Sequence, residues 1–216
     1  MAVDAPLTWS VVIPVKVLAL AKSRLAELAD PGRRALALAM AADTTAAAVA
    51  SPVVGAVIVV SDDPAVAAQA TALGATPVPD TPGAGLNKAL IAGAGFASQR
   101  WPGHGVAALL ADLPALRASD LTAALTAASG ETHAFVADAA GAGSTLYTAV
   151  PGSAFRPMFG ARSRTRHRQA GAAELSLPGI AGLRQDVDTL ADLRRAAEIG
   201  LGQRSAALAL AMAECG

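Results

Sequence analysis

A single cysteine, Cys215, leaves the chain without any possible internal disulfide, which fits a reducing compartment. Aromatic residues make up only 3% of the 216 positions, so the core has to come from aliphatic side chains and close alanine packing. Charge of one sign is also missing: 17 basic and 17 acidic residues balance, which excludes a generally basic nucleic-acid surface. Despite 53% hydrophobic content there is no apolar run fit to span a bilayer, because the uncharged stretch from Thr44 to Ser61 is split by Pro52 and Gly55. Asp4 stands where a signal peptide would carry positive charge. A cytoplasmic protein is expected, with no membrane and no nucleic acid among its partners. Internal repeats, long linkers and low-complexity tails are absent from the sequence, so residues 1–216 are expected to form one domain.

What is present is an alternation of two kinds of segment. Short runs rich in apolar and β-branched residues (Ser10 to Val15, Val57 to Val60, Val106 to Leu110, His133 to Ala137, Thr145 to Val150) alternate with alanine- and leucine-rich helical stretches. That pattern predicts an α/β fold, a three-layer α/β/α sandwich with a mainly parallel, Rossmann-like sheet covered on both faces. Asp30-Pro31, Asp63-Pro64 and Ser119-Asp120 read as helix starts, and Gly74 and Gly130 as stops. The alanine-rich C-terminal helix, Ser205 to Ala213, can pack on its own domain or on a second copy in a homodimer.

Ligands of open α/β sheets lie beyond the carboxyl ends of the strands. The run "VAALLADLPAL" ends its apolar stretch on Asp112, and Pro114 stops the strand, so a carboxylate is delivered to that rim or else caps a turn. Asp186 and Asp188 sit two apart at the end of another expected strand and face the same way. A divalent cation shared with Asp112 would relieve their repulsion, and magnesium suits an all-oxygen set that also meets phosphates. Asp188 alternatively caps the following helix, which makes Asp186 the safer ligand. Lys16, Lys22 and Arg24 follow the first strand without the glycines of a Walker loop, so side chains would have to neutralise phosphate there, unless they form a solvated helix face.

Taken in order, "PVKxLxxAKSRL", "LN" at Leu86-Asn87, "DLPAL", "FGARSRTRHRQAGAAEL" and "DVDT" resemble the 2-phospho-L-lactate and phosphoenolpyruvate guanylyltransferases of coenzyme F-420 biosynthesis. The resemblance covers essentially the whole chain and implies a nucleotide-diphospho-sugar transferase-like fold. It implies magnesium on Asp112, Asp186 and Asp188, with Lys16, Lys22 and Arg24 beside the leaving pyrophosphate of GTP. Leu86 and Asn87 would lie against the nucleoside. Thr145, Gly160 and Ser163 would contact a small phosphorylated carboxylic acid, with Ser144 as their neighbour. "FGARSRTRHR" adds a dense set of arginines, and His167 within it lacks partners at metal-ligand spacing. Two departures stand out: Ala111 replaces the glycine that many members have before the aspartate, and the loop from Thr81 to Leu86 is short of acidic residues. Phosphoenolpyruvate is the favoured acceptor, with 2-phospholactate, an acceptor of another pathway and a silent nucleotide-binding module as the alternatives.

Overall fold

The computed structural model of the chain describes residues 7–16, 30–80 and 85–214. Its elements run β1 (Trp9–Pro14), α1 (Asp30–Val49), β2 (Val54–Val60), α2 (Pro64–Ala72), β3 (Thr76–Val78), α3 (Leu86–Arg100), β4 (Gly105–Leu109), α4 (Ala118–Ala128), β5 (His133–Ala137) and β6 (Ser144–Ala149). They continue with α5 (Ser163–Gln169), β7 (Ala173–Glu174), α6 (Ala181–Arg184), α7 (Leu190–Ile199) and α8 (Gln203–Glu214). The strands form one sheet in the order β3-β2-β1-β4-β6-β5-β7. Among the described residues only β6 runs against the rest, pairing antiparallel with both β4 and β5. The first of its residues, Ser144, therefore lies at the edge where the parallel strands end.

Strand residues alternate between two cores, as a sheet covered on both faces requires. Val11, Ile13, Val57, Val59, Ala107 and Leu109 pack with residues of α1, α2 and α4, whereas Val12, Ile58, Val60, Val106 and Ala108 pack with Ala89, Leu90, Ala94 and Ala97 of α3. That is the expected three-layer sandwich. Gly93 lets α3 lie directly on the sheet, because a Cβ there would stand 2.5 Å from Val12 Cγ1 and 2.8 Å from Val60 Cγ2. A third cluster joins Leu36 and Met40 of α1 to Val187 and to Leu193 and Ala196 of α7.

Local punctuation follows the sequence at some ends and departs from it at others. Asp63 caps α2 by accepting from the Ala65 amide, and Gly74 adopts φ 86° just past the end of that helix. By contrast, α4 starts at Ala118 with Arg117 as its N-cap and no side-chain cap. Ser119 donates to the Asp120 carboxylate inside the first turn, which places the acidic residue favourably towards the helix N-terminus. α8 packs on α1 within the chain: the carboxylate of buried Asp43 accepts the Arg204 and Ser205 amides at 3.2 and 2.8 Å. No described helix is long and apolar enough to cross a membrane.

Candidate active site

A cleft of about 640 Å³ opens at the carboxyl ends of the parallel strands, and it is lined by residues from several separate parts of the chain, Ala37, Met40 and Ala41 of α1 among them. Lys16 follows β1, Asp112 follows β4, and Asp138 follows β5. Ala142 to Ser144 enter β6, Phe159 to Ser163 lead into α5, and Asp186 and Asp188 precede α7. Leu86 closes one side. The volume suits a small-molecule ligand.

Asp112 is held from both sides of its backbone. The Thr44 hydroxyl on α1 donates to the Ala111 carbonyl and accepts the Leu113 amide, both at 3.2 Å, while the Val187 amide donates to the Asp112 carbonyl at 3.0 Å. The last bond carries Asp186 and Asp188 to the same rim. These two do not end a strand, as the sequence suggested; they sit in the loop between α6 and α7. Buried Val187 anchors between them, so the expected same-side placement arises from one apolar residue locked in the helical cluster rather than from strand pairing. Thr189 caps α7 in a capping box with Asp192, which leaves Asp188 outside the helix and on the cleft.

Burial, followed by the charges of Asp112, Asp138 and Asp188, pushes Asp186 up to about 7. Four carboxylates thus share one field. No three acidic, histidine or cysteine side chains among the described residues converge in a metal-ligating group, so the cluster is one of shared charge around the cleft rather than a closed cage.

Asp138 went unread in the sequence, although it carries the same signal as Asp112, a carboxylate directly after an apolar strand. Its oxygens accept the Ala142 and Gly143 amides at 2.9 and 2.7 Å, folding the glycine-containing loop before β6. Arg184 ties the same corner down by donating to the Ala137 and Asp138 carbonyls.

Ser144, Gly160 and Ser163 line the same cleft, whereas Thr145 is fully buried and its hydroxyl has no hydrogen-bond partner among the described residues. Gly160 takes φ 112° and Arg162 the left-handed φ 57°, a tight turn that delivers Ser163. Of the arginines in this stretch only Arg162 faces the cleft. Arg164 pairs with Glu174 at 2.8 Å and donates to the Gly141 carbonyl, Arg166 donates to the Phe159 carbonyl, and Arg168 lies 3.7 Å from Glu174. Most of the expected anion-binding set is therefore committed to holding loops. Leu86 reaches the cleft, but the Asn87 amide is occupied by Phe159, accepting its N–H and donating to its carbonyl. Lys22 and Arg24 lie outside the described residues.

Residues 9–177 match the family described as "Guanylyl transferase CofC like". The chain belongs to that family. Among its relatives, the phosphoenolpyruvate guanylyltransferase of Thermomonospora curvata is 56% identical over 97% of this chain and 92% of its own length. That of Streptomyces coelicolor is 53% identical over 93% and 95%. Among solved structures, one from Desulfovibrio desulfuricans assigned as a nucleotide-diphospho-sugar transferase superposes with a TM-score of 0.65 at 17% identity, covering 86% of this chain and 84% of that one. The CofC-like family thus sits here on a nucleotide-diphospho-sugar transferase-like fold.

Proposed function

We propose that this chain transfers GMP from GTP to the phosphate of phosphoenolpyruvate, forming enolpyruvoyl-diphospho-guanosine and pyrophosphate for coenzyme F-420 biosynthesis. The observation that carries the reading is one cleft lined both by carboxylates (Asp112, Asp186, Asp188) and by neutral donors (Ser144, Gly160, Ser163). Relatives carrying this activity in their names align along nearly the whole chain. On this reading residues 1–216 act as one catalytic domain in the cytoplasm.

A phosphate oxygen of the acceptor attacks the α-phosphorus of GTP, a new P–O bond forms, and the bond to the β-phosphate breaks with pyrophosphate taking the electron pair. The nucleophile is already anionic near neutral pH, so no residue has to act as a general base. The task of the chain is to hold two polyanions in line. Lys16, with Lys22 and Arg24 from the same segment, would neutralise the departing pyrophosphate. Ser144, Gly160 and Ser163, together with Thr145, would bind the phosphorylated acid, and Leu86 would pack on the nucleoside. Asn87 would serve the acceptor pocket through the Phe159 loop it grips.

Although these carboxylates do not converge into a closed cage, their chemistry suits a hard divalent cation: the donors are all oxygen, and the raised proton affinity of Asp186 marks a place where positive charge is wanted. Asp112, Asp186 and Asp188 would hold magnesium, which would supply screening of the phosphate charge.

Pyrophosphate release by the purified protein with GTP and magnesium tests the reading. Release is expected with phosphoenolpyruvate and not without an acceptor. Release with 2-phospholactate alone would transfer the proposal to that acid, and release with neither would overturn it.

A further inference from the structure

We propose that His167 is a positioning residue: its buried imidazole turns the Ser144 hydroxyl proton into the cleft and so makes Ser144 a committed hydrogen-bond donor to the anionic acceptor. The proposal rests on the reading of Ser144, Gly160 and Ser163 as the acceptor site.

A backbone amide fixes the tautomer of the ring. The Met158 nitrogen lies 2.9 Å from His167 Nε2, and an amide N–H can only donate. Nε2 must therefore present its lone pair, which puts the proton of a neutral imidazole on Nδ1. Ser144 Oγ is 3.0 Å from Nδ1 and is left to accept that proton's hydrogen bond. A hydroxyl that accepts from one side has its own hydrogen available for another, and Ser144 faces the cleft. An isolated serine donates or accepts as its partner demands; here the direction is set before a ligand arrives. Phosphate and carboxylate ligands accept hydrogen bonds, so a pre-turned donor favours them and costs no reorientation on binding.

The imidazole is kept in this state by its surroundings. His167 is fully buried, stacked on Tyr147 with centroids 4.8 Å apart at 18°, and flanked by Phe135 and Phe159 at 5.4 Å. Turning the ring over would set a carbon against the Met158 amide and lose both bonds. Burial, aided by the Arg166 charge, lowers His167 to about 4, so the ring is neutral at physiological pH. The same residue thus links the loop that precedes Gly160 to the first residue of β6.

Long-range proton–nitrogen NMR of the unmodified protein at pH 7 reads the first half directly. A protonated Nδ1 and a bare Nε2 on His167 are expected; a proton on Nε2, or on both nitrogens, overturns the proposal. Kinetics read the second half. Ser144→Ala should raise the phosphoenolpyruvate KM about ten- to a hundredfold, the range for losing a hydrogen bond to a charged group, with a smaller effect on kcat and on the GTP KM. His167→Phe keeps the ring but neither hydrogen bond, and should reproduce that split. The double variant should then be no worse in acceptor KM than the worse single one. His167→Asn, which can still donate towards Ser144, should recover part of the loss. An unchanged acceptor KM in Ser144→Ala, or additive effects in the double variant, overturns the proposal. Should His167→Phe fail to fold, the NMR result and Ser144→Ala still decide. A wrong tautomer with pyrophosphate release intact faults the donor role alone, whereas no acceptor-dependent release from the unmodified protein faults the reaction and the donor role together.

Discussion

The Asn87 carboxamide pairs with both backbone groups of Phe159, accepting its N–H at 2.9 Å and donating to its carbonyl at 3.1 Å. A side chain expected to meet the nucleoside is instead the clasp between α3 and the loop that carries Gly160 into the cleft. Asn87→Ala should therefore lower the melting temperature, since two partly buried hydrogen bonds are lost at about 1 kcal/mol each. It should raise the acceptor KM while leaving the preference for GTP over ATP unchanged. Steady-state kinetics with both nucleotides check this, and relaxed base selectivity would return Asn87 to the nucleoside.

Half-buried Asp186 and buried His167 pull the pH dependence of stability in opposite directions. Asp186 titrates at about 7 in the folded chain against 3.8 ordinarily, so between those values the folded state keeps a proton that the unfolded state has lost, and stability falls as pH rises. His167 titrates at about 4 against 6.5, so across that window the unfolded state gains a proton that the folded state refuses, and stability rises with pH. Melting curves in chelator should show Asp186→Asn with a steeper rise between pH 4 and 6.5 than the unmodified protein. His167→Phe should show a flatter rise or a fall. Parallel profiles for all three proteins would contradict both assignments.

Asp112 follows β4 and Asp138 follows β5, the two strands that flank β6, yet their substitution should read differently. Asp112→Asn keeps the backbone clamped by Thr44 and Val187, so turnover should drop by about a hundredfold or more with little change in melting temperature. In Asp138→Asn an amide nitrogen would face one of the two N–H groups that the carboxylate now accepts, costing about 1–3 kcal/mol. That variant should lose several degrees of melting temperature, and activity with it. Calorimetry beside a turnover assay separates the two signatures. A large destabilisation from Asp112→Asn would mark that residue as a turn cap.

The layering and most of the rim were legible because they depend on short-range pattern. Apolar runs ending on a carboxylate mark strand ends whatever the rest of the chain does, and the rule that found Asp112 applies equally to Asp138. Asp186-Val187-Asp188 misled as to secondary structure because period-two alternation is shared by any extended segment with one buried residue. The arginines after Phe159 misled for another reason: a basic run does not say that Glu174 or a backbone carbonyl waits beside it. Nor does sequence spacing reveal that Asn87 meets Phe159 across 72 positions, or that an amide nine residues before His167 selects its tautomer.

Thr44 offers the sharpest separation of positioning from chemistry, because its hydroxyl bonds to the backbone on either side of Asp112. It is fully buried, and its one hydroxyl serves the Ala111 carbonyl and the Leu113 amide together. Valine fills the same volume but satisfies neither group, so Thr44→Val should cost about 1–3 kcal/mol for the stranded polar atoms. The peptide units around Asp112 would then be free to shift. A displacement on the order of 1 Å at a reacting centre can cost about a hundredfold in rate. Thr44→Val should accordingly lower kcat well beyond what its modest loss of melting temperature explains, and Thr44→Ser, which restores the hydroxyl, should recover most of it. Equal kcat in the valine and serine variants would show that Asp112 is held by the Val187 amide without help from α1.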